Sequence, residues 1–240
     1  MKLFCLKIVA VVSFCSYAGD ELPPLQIHEL REGVYLHTSY QQVEGWGVVS
    51  ANGLVVVENN NAFIVDTPWS ENDTEALVKW IAAKQFILQG SISTHYHEDR
   101  TAGIKWLNEH AIATYATSLT NRFLQQQNKP LAQNVIQGDD AVLAEGMINV
   151  FYPGGGHTLD NVVVWLPKFN MLFGGCFIRS LDSKGLGNIA DAHIDQWAGS
   201  VERVVSRFNN VQIVVPGHGE VGSAELLTHT QTLALSAISH

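Results

Sequence analysis

Two imidazoles and a carboxylate alternate in Thr94-His95-Tyr96-His97-Glu98-Asp99-Arg100, directly after the apolar run Phe86 to Ile92. In an extended segment, positions i, i+2 and i+4 face the same way, so His95, His97 and Asp99 would converge as three potential metal ligands. Neutral imidazole and carboxylate are both good zinc ligands. A plainer reading makes the segment a surface loop in which Asp99 caps a helix beginning near Thr101 and the histidines are incidental. Candidates farther along the chain favour the metal.

His157 lies in Pro153-Gly154-Gly155-Gly156-His157-Thr158, Cys176 in Phe173-Gly174-Gly175-Cys176, and His218 in Pro216-Gly217-His218-Gly219. Each sits beside glycine where a strand gives way to a turn, and glycine lets the backbone fold tightly enough to deliver a side chain into a common cleft. Any one of them alone is more simply a structural residue. Taken with His95, His97 and Asp99 they form a plausible ligand set. The triple glycine could instead suggest a phosphate loop, but no Lys-Ser or Lys-Thr follows it and no helical pattern starts there. The remaining histidines, His28, His37, His110, His193, His229 and His240, lie on strands, near helix ends or at the terminus and are given no ligand role.

The pattern along the chain is layered α/β. Hairpin strands are expected at Leu25 to Ile27 and Val34 to Thr38 across the turn Arg31-Glu32-Gly33, then at Leu54 to Val57 and Ala62 to Val65 across Asn59-Asn60-Asn61. Between them, Val43 and Trp46 with Gly45 and Gly47 suit a mobile hairpin tip bearing apolar side chains, although Trp46 could equally be core. Ser70 and Asp73 form a capping arrangement before a helix over Thr74 to Lys84. A strand over Phe86 to Ser93 leads into the histidine segment, followed by a helix at Gly103 to His110, a strand at Ile112 to Tyr115 and a helix at Leu119 to Gln126. The second half offers strands at Ala141 to Leu143, Met147 to Tyr152, Val162 to Leu166, Met171 to Phe173 and Val211 to Val215. Helices are expected at Ile194 to Arg207 and Ser223 to Ile238. Two strand-rich halves, each followed by helices, imply a sandwich of sheets flanked by helices.

At 240 residues, 46% of them hydrophobic and 15% charged, the chain can bury one sizeable core. Met1-Lys2-Leu3-Phe4-Cys5-Leu6-Lys7, the apolar stretch Ile8 to Phe14 and then Ser16-Tyr17-Ala18 read as a secretory signal, too short to span a membrane as a stable helix. The expected division is a signal peptide over 1–18 and one domain over 19–240. Cys15 invites a lipoprotein reading, but bulky Phe14 before it argues against lipidation. Cleavage after Ala18 would remove Cys5 and Cys15 and leave Cys176 as the one thiol, so no internal disulfide could form and that thiol must be buried or hold a metal. Losing Lys2 and Lys7 takes the basic count from 14 to 12 against 23 acids, and the formal charge from −9 to −11. Such acidity disfavours nucleic acid and anionic lipid surfaces. A monomer exported to the periplasm without a membrane anchor is expected.

His95-Tyr96-His97-Glu98-Asp99-Arg100, Gly156-His157-Thr158, Gly175-Cys176 and Gly217-His218 together resemble the zinc-ligand set of subclass B1 metallo-β-lactamases, over essentially the whole mature chain. The run Asn161-Val162-Val163-Val164-Trp165-Leu166-Pro167 resembles the acquired IMP-type and DIM-type enzymes. The resemblance implies a four-layer αβ/βα metallo-β-lactamase sandwich with one zinc on His95, His97 and His157 and a second on Asp99, Cys176 and His218. Asp66 and Arg100 would stand behind those ligands. It further implies β-lactam hydrolysis by a hydroxide shared between the two ions, penicillins, cephalosporins and carbapenems included and monobactams little used, and so antibiotic resistance. Asn188, twelve residues after Cys176, would stabilise the oxyanion, Asp99 or water would assist proton delivery, and Val43 and Trp46 would cover the small-molecule substrate.

Arg179 replaces the lysine commonest in the family and is expected to bind the substrate carboxylate, with two hydrogen bonds where lysine gives a point charge. Its plainer role is an exposed arginine on the loop from Ser180 to Gly187. Gly155 stands where proline is frequent, and Gly217 and Gly219 where serines often occur. A glyoxalase II type enzyme would carry histidine after the motif aspartate and a bridging aspartate elsewhere; Arg100 and Cys176 stand there instead. A zinc-binding protein without catalysis would need four protein ligands at a closed site, and each set here has three.

Overall fold

A computed structural model describes residues 22–238, so the expected signal peptide, its cleavage site and His240 lie outside the described residues. Within them, β1 (Gln26–Arg31), β2 (Val34–Val43), β3 (Gly47–Glu58) and β4 (Asn61–Val65) pair antiparallel in sequence order. Three parallel strands extend that sheet, β5 (Ile87–Ile92), β6 (Thr114–Thr117) and β7 (Asn134–Ile136). Parallel pairing requires crossovers, and the helices α1 (Glu71–Ala83), α2 (Glu98–Thr101), α3 (Ile104–Glu109) and α4 (Ser118–Gln126) provide them. A second sheet runs in the order β12 (Ile213–Pro216), β11 (Met171–Gly175), β10 (Val163–Leu166), β9 (Ile148–Phe151), β8 (Asp140–Leu143). Its one parallel pair, β11 with β12, is bridged by α5 (Ile194–Arg207), and α6 (Glu225–Ile238) ends the described chain.

Strand parity sorts the apolar residues into layers. On β3, Leu54 and Val56 face the second sheet and share a core with Phe63, Val65, Ile92, Val150, Val164, Leu166, Phe173 and Val215. Val55 and Val57, one residue out of phase, face α1 and pack with Ile64, Leu77 and Ile81. The second sheet divides likewise, because Val163, Trp165, Leu172 and Val214 turn outward onto Trp197, Val201 and Val204 of α5 and Leu226, Leu227 and Ala234 of α6. Both faces of each central strand are therefore buried, which is why Val162 to Leu166 and Leu54 to Val57 read as unbroken apolar runs rather than alternations. The result is the four-layer αβ/βα sandwich that the sequence implied.

Several boundaries differ from expectation for identifiable reasons. β7 was not foreseen, because Asn134-Val135-Ile136 is too short to show a period. β2 and β3 continue almost to the hairpin tip, leaving Glu44 to Trp46 as the turn, and pair through Val43 and Gly47. The histidine segment does not stay extended. It bends after Ser93, and Glu98 to Thr101 form a helical turn, so Asp99 reaches its neighbours from α2 and caps nothing; His97 occupies the N-cap position. Ser70 does cap its helix, its Oγ accepting from the Asp73 amide at 3.0 Å, and the helix begins three residues earlier than expected.

Position along β3 separates packing from exposure. Leu54 is fully buried and Val48 is 46% exposed. Leu54→Ala should cost about 2–5 kcal/mol by urea denaturation of the metal-free protein. Val48→Ala should stay within about 0.5 kcal/mol of the parent.

Candidate metal centre

The candidate ligands come from loops at one end of the sandwich. His95 and His97 follow β5, His157 lies between β9 and β10, Cys176 follows β11 directly, and His218 stands two residues beyond β12. Ligand nitrogens of His95, His97 and His157 lie within 4.8 Å of one another. His97 Nδ1 and His157 Nε2 face each other at 3.1 Å, while the buried Nε2 of His95 has no hydrogen-bond partner. A buried donor or acceptor without a partner is costly, and three imidazole nitrogens turned to one point would be satisfied together by a cation.

The second triad is tighter. Cys176 Sγ is 3.1 Å from Asp99 Oδ2 and 3.2 Å from His218 Nε2, and His218 Nε2 is 3.2 Å from the same Asp99 oxygen. His95 also approaches this group, with its Nε2 4.0 Å from Asp99 Oδ1, so it stands between the two triads. His218 shares mutual 3.1–3.2 Å spacings with Asp99 and Cys176, shorter than the 4.0 Å from His95 to Asp99. His218 Nδ1 donates to the Ser50 carbonyl, which fixes the tautomer and leaves Nε2 as the coordinating atom. The chemistry of both donor sets fits zinc: imidazole, carboxylate and thiolate, three from protein at each point, which leaves room for water or substrate.

Arg100 holds the floor. Fully buried, it donates from Nε to Asp99 at 3.0 Å, from Nη2 to Cys176 Sγ at 3.1 Å and the Gly217 carbonyl at 3.0 Å, and from Nη1 to the Asn52 carbonyl, with Asp66 Oδ2 3.4 Å away. Asp66 in turn accepts from the Thr94 amide at 2.6 Å and the Thr94 hydroxyl at 2.8 Å, pinning the start of the histidine segment. Its backbone is left-handed at φ +60°, a strained conformation for a residue with a Cβ. His37 offsets part of that cost by donating to the Asp66 carbonyl at 3.0 Å. Asn52 fastens the last ligand turn, donating to the Pro216 and Gly219 carbonyls at 3.1 and 2.8 Å. At Gly217 a Cβ would lie 2.5 Å from the Cys176 amide and 2.8 Å from its sulfur, so a side chain there would push the two ligand turns apart.

The electrostatics follow from burial and from Arg100. Burial opposes charge on Asp99, yet Arg100 beside it and the His218 hydrogen bond hold its carboxyl well below the usual range. Burial pushes the Cys176 thiol well up, with Arg100 opposing. Burial also raises the Asp66 carboxyl, to about 7, against the pull of Arg100 and Thr94. His95 and His157 are held well below ordinary imidazole values, first by burial and then by neighbouring histidines, so both present neutral, coordinating rings.

Above the triads lies a cleft of about 540 Å³. Val43 and Trp46 from the β2–β3 tip, Arg179, Asn188, His97, Asp99, His157 and His218 all line it, while His95 and Cys176 sit buried beneath. Trp46 is 62% exposed and so is not core. Arg179 is half-buried rather than an exposed loop residue; its guanidinium packs against Gly187 and its Nε has no hydrogen-bond partner. Asn188 Oδ1 accepts from the Ala190 amide, which leaves the Nδ2 donors for the cleft. Two contributors escaped sequence reasoning. Trp69 joins the lining, and Asp191 Oδ2 lies 3.1 Å from His97 Nε2, fixing that ring with Nδ1 toward His157. Tyr96 also hydrogen-bonds Asp191.

The profile of the Metallo-beta-lactamase superfamily matches residues 46–218, a span that holds every candidate ligand. A metallo-beta-lactamase type 2 from Pseudomonas aeruginosa is 44% identical over 239 residues, covering 99% of this chain and 95% of that protein. Among solved structures, DIM-1 metallo-beta-lactamase exposed to ceftazidime superposes with a TM-score of 0.90 at 58% identity, over 91% of this chain and 100% of that one. TMB-1 superposes at 0.89 with 55% identity, over 90% and 100%. Two facing sheets with helices outside them, two ligand triads at one end and similarity over nearly the full length lead to one conclusion: this chain belongs to the metallo-beta-lactamase superfamily.

Proposed function

We propose that this chain is a zinc-dependent hydrolase of the β-lactam amide bond that confers resistance to penicillins, cephalosporins and carbapenems. The observation that carries this reading is the pair of three-ligand sets beneath one open cleft. His95, His97 and His157 would hold one zinc, and Asp99, Cys176 and His218 the other. When bound, zinc polarises the substrate carbonyl and brings the pKa of water down toward about 7, supplying hydroxide at neutral pH.

The reaction adds water across the C–N bond of the four-membered ring, so the protein must place the carbonyl, receive the growing negative charge and return a proton to nitrogen. Asn188, with Nδ2 available, donates to the carbonyl oxygen as it gains charge. Arg179 at the cleft wall pairs with the ring carboxylate; its half-buried guanidinium, desolvated in part, gains more from that contact than a fully exposed one would. Proton return to nitrogen falls to water or to Asp99, whose Oδ1 is the oxygen not engaged by Arg100, Cys176 and His218. Val43 and Trp46 close over the substrate and exclude water. The chain works as a monomer in the periplasm, exported by a leader cut after Ala18, as one domain from Gly19 onward. Among the described residues no helix is long and apolar enough to cross a membrane.

Purified protein should hydrolyse a carbapenem and a penicillin, followed by absorbance, lose turnover on chelation and regain it with zinc. A folded protein with two bound zinc ions and no turnover would reject the β-lactam reading in favour of thioesters or lactones. Arg179→Ala should lower kcat/KM roughly 10- to 100-fold for carboxylate-bearing substrates, mainly through KM, the scale of one charge-assisted contact. An unchanged kcat/KM would remove Arg179 from substrate binding. Asp191→Ala, which frees the far side of His97, should weaken zinc binding about 10- to 100-fold in competition with a chromophoric chelator. Equal affinity in parent and variant would make the Asp191 contact incidental.

A further inference from the structure

The triple glycine Gly154-Gly155-Gly156 before His157 takes no part in the chemistry above, yet its surroundings are tightly specified. Each of four consecutive carbonyls has its own donor. Pro153 O accepts from Arg203 Nε at 2.5 Å, Gly154 O from Asn161 Nδ2 at 2.9 Å, Gly155 O from Ser200 Oγ at 2.7 Å, and Gly156 O from the His193 amide at 2.8 Å. Three of these donors belong to α5 or to the residue that caps it. The glycines are what allow this approach. A Cβ on Gly154, whose φ is +105°, would collide with the Arg203 guanidinium, one on Gly155 would lie 2.9 Å from His193 Cβ, and one on Gly156 would lie 2.5 Å from the Phe177 ring. At Gly155, where the family often has proline, a side chain would have to displace His193 and Gln196 from their present places.

We infer that Arg203 is a positioning residue for His157, locking the glycine loop onto α5 so that the imidazole is held at the three-histidine site. This rests on the zinc reading above. Arg203 is an exposed residue of α5, but its fork spans two acceptors: Nε takes Pro153 O and Nη2 takes Ser200 Oγ at 2.8 Å. Ser200 is fully buried and passes its own proton on to Gly155 O, so one guanidinium orders two of the four loop carbonyls. His157 follows within two residues of Gly155, and its ring stands 6.0 Å from Trp197 on the same helix. Loop and imidazole are therefore referenced to one rigid element. Lysine in place of Arg203 could reach one acceptor but not both.

The test is zinc binding by the full chain, titrated against a chromophoric chelator to give two dissociation constants, for the parent, Arg203→Ala, Arg203→Lys, His157→Ala and Cys176→Ser. The last two identify which constant belongs to which site. Arg203→Ala should weaken the constant lost in His157→Ala by about 10-fold, the low end for a group acting behind a ligand, and leave the constant lost in Cys176→Ser unchanged. Arg203→Lys should fall between alanine and parent. Two unchanged constants would overturn the inference, as would equal weakening of both sites, which marks a general loss of structure. If His157→Ala itself changes neither constant, the zinc reading fails first and takes the inference with it; an effect of His157→Ala without one from Arg203→Ala rejects the inference alone.

Discussion

A single buried cation organises the metal end of this protein. Arg100, with no exposed surface, spends its donors on Asp99, Cys176, Asp66 and the carbonyls of Asn52 and Gly217. Those groups come from five separate stretches of chain, β3, the loop after β4, α2, the turn after β11 and the turn after β12. An unpaired buried guanidinium would cost several kcal/mol, so the fold is stable only when these stretches converge on it. The convergence that satisfies Arg100 is the same one that brings Asp99 and Cys176 to 3.1 Å from each other. Structural need and ligand placement are thereby met by one arrangement.

The two triads are supported differently, and their chemistry differs accordingly. The three-histidine set is held by one hydrogen bond to a remote ring nitrogen, Asp191 on His97, and by backbone contacts: the α5 clamp on the loop before His157, and Asp66 through Thr94 at the head of the segment. Burial and the neighbouring histidines hold His95 and His157 well below ordinary imidazole values. The Asp99, Cys176 and His218 set is held by charge. Burial alone would keep Cys176 a thiol, and Arg100 offsets only part of that. A metal at this position must displace a proton from sulfur, so affinity there would rise with pH as the thiolate becomes easier to form.

Sequence legibility followed the range of the interactions. The ligands were readable because each carries its own local mark, a short alternation of histidine and aspartate or a glycine beside a histidine or cysteine. The helix Ile194–Arg207 was readable to the residue because its apolar face repeats at helical period. The bend after Ser93 was not, since it depends on Asp66 twenty-eight positions earlier accepting both Thr94 donors. Asp191 escaped for the same reason: it meets His97 across 94 residues, and a lone aspartate after Asn188-Ile189-Ala190 carries no local signal. Trp46 could be read either as core or as cleft lining, and only the hairpin's projection past the sheet decides for the cleft.

The glycines show why residue type at the site is set by neighbours rather than by the chemistry itself. Gly217 leaves space for the Cys176 amide and sulfur, Gly156 for the Phe177 and Trp197 rings, and Gly187 for the guanidinium of Arg179, whose Nη1 would lie 3.0 Å from a Cβ. None of these glycines supplies a candidate ligand atom, yet each sets how closely a functional group approaches the cleft. Arginine in place of lysine at 179 fits this logic. The wider, planar head group needs a wall without side chains, and Gly187, at φ +76°, provides it where a residue with a Cβ would be strained. Arg179 and Gly187 therefore work as a pair: exchanging the glycine would displace the guanidinium from the cleft wall without altering a single candidate ligand.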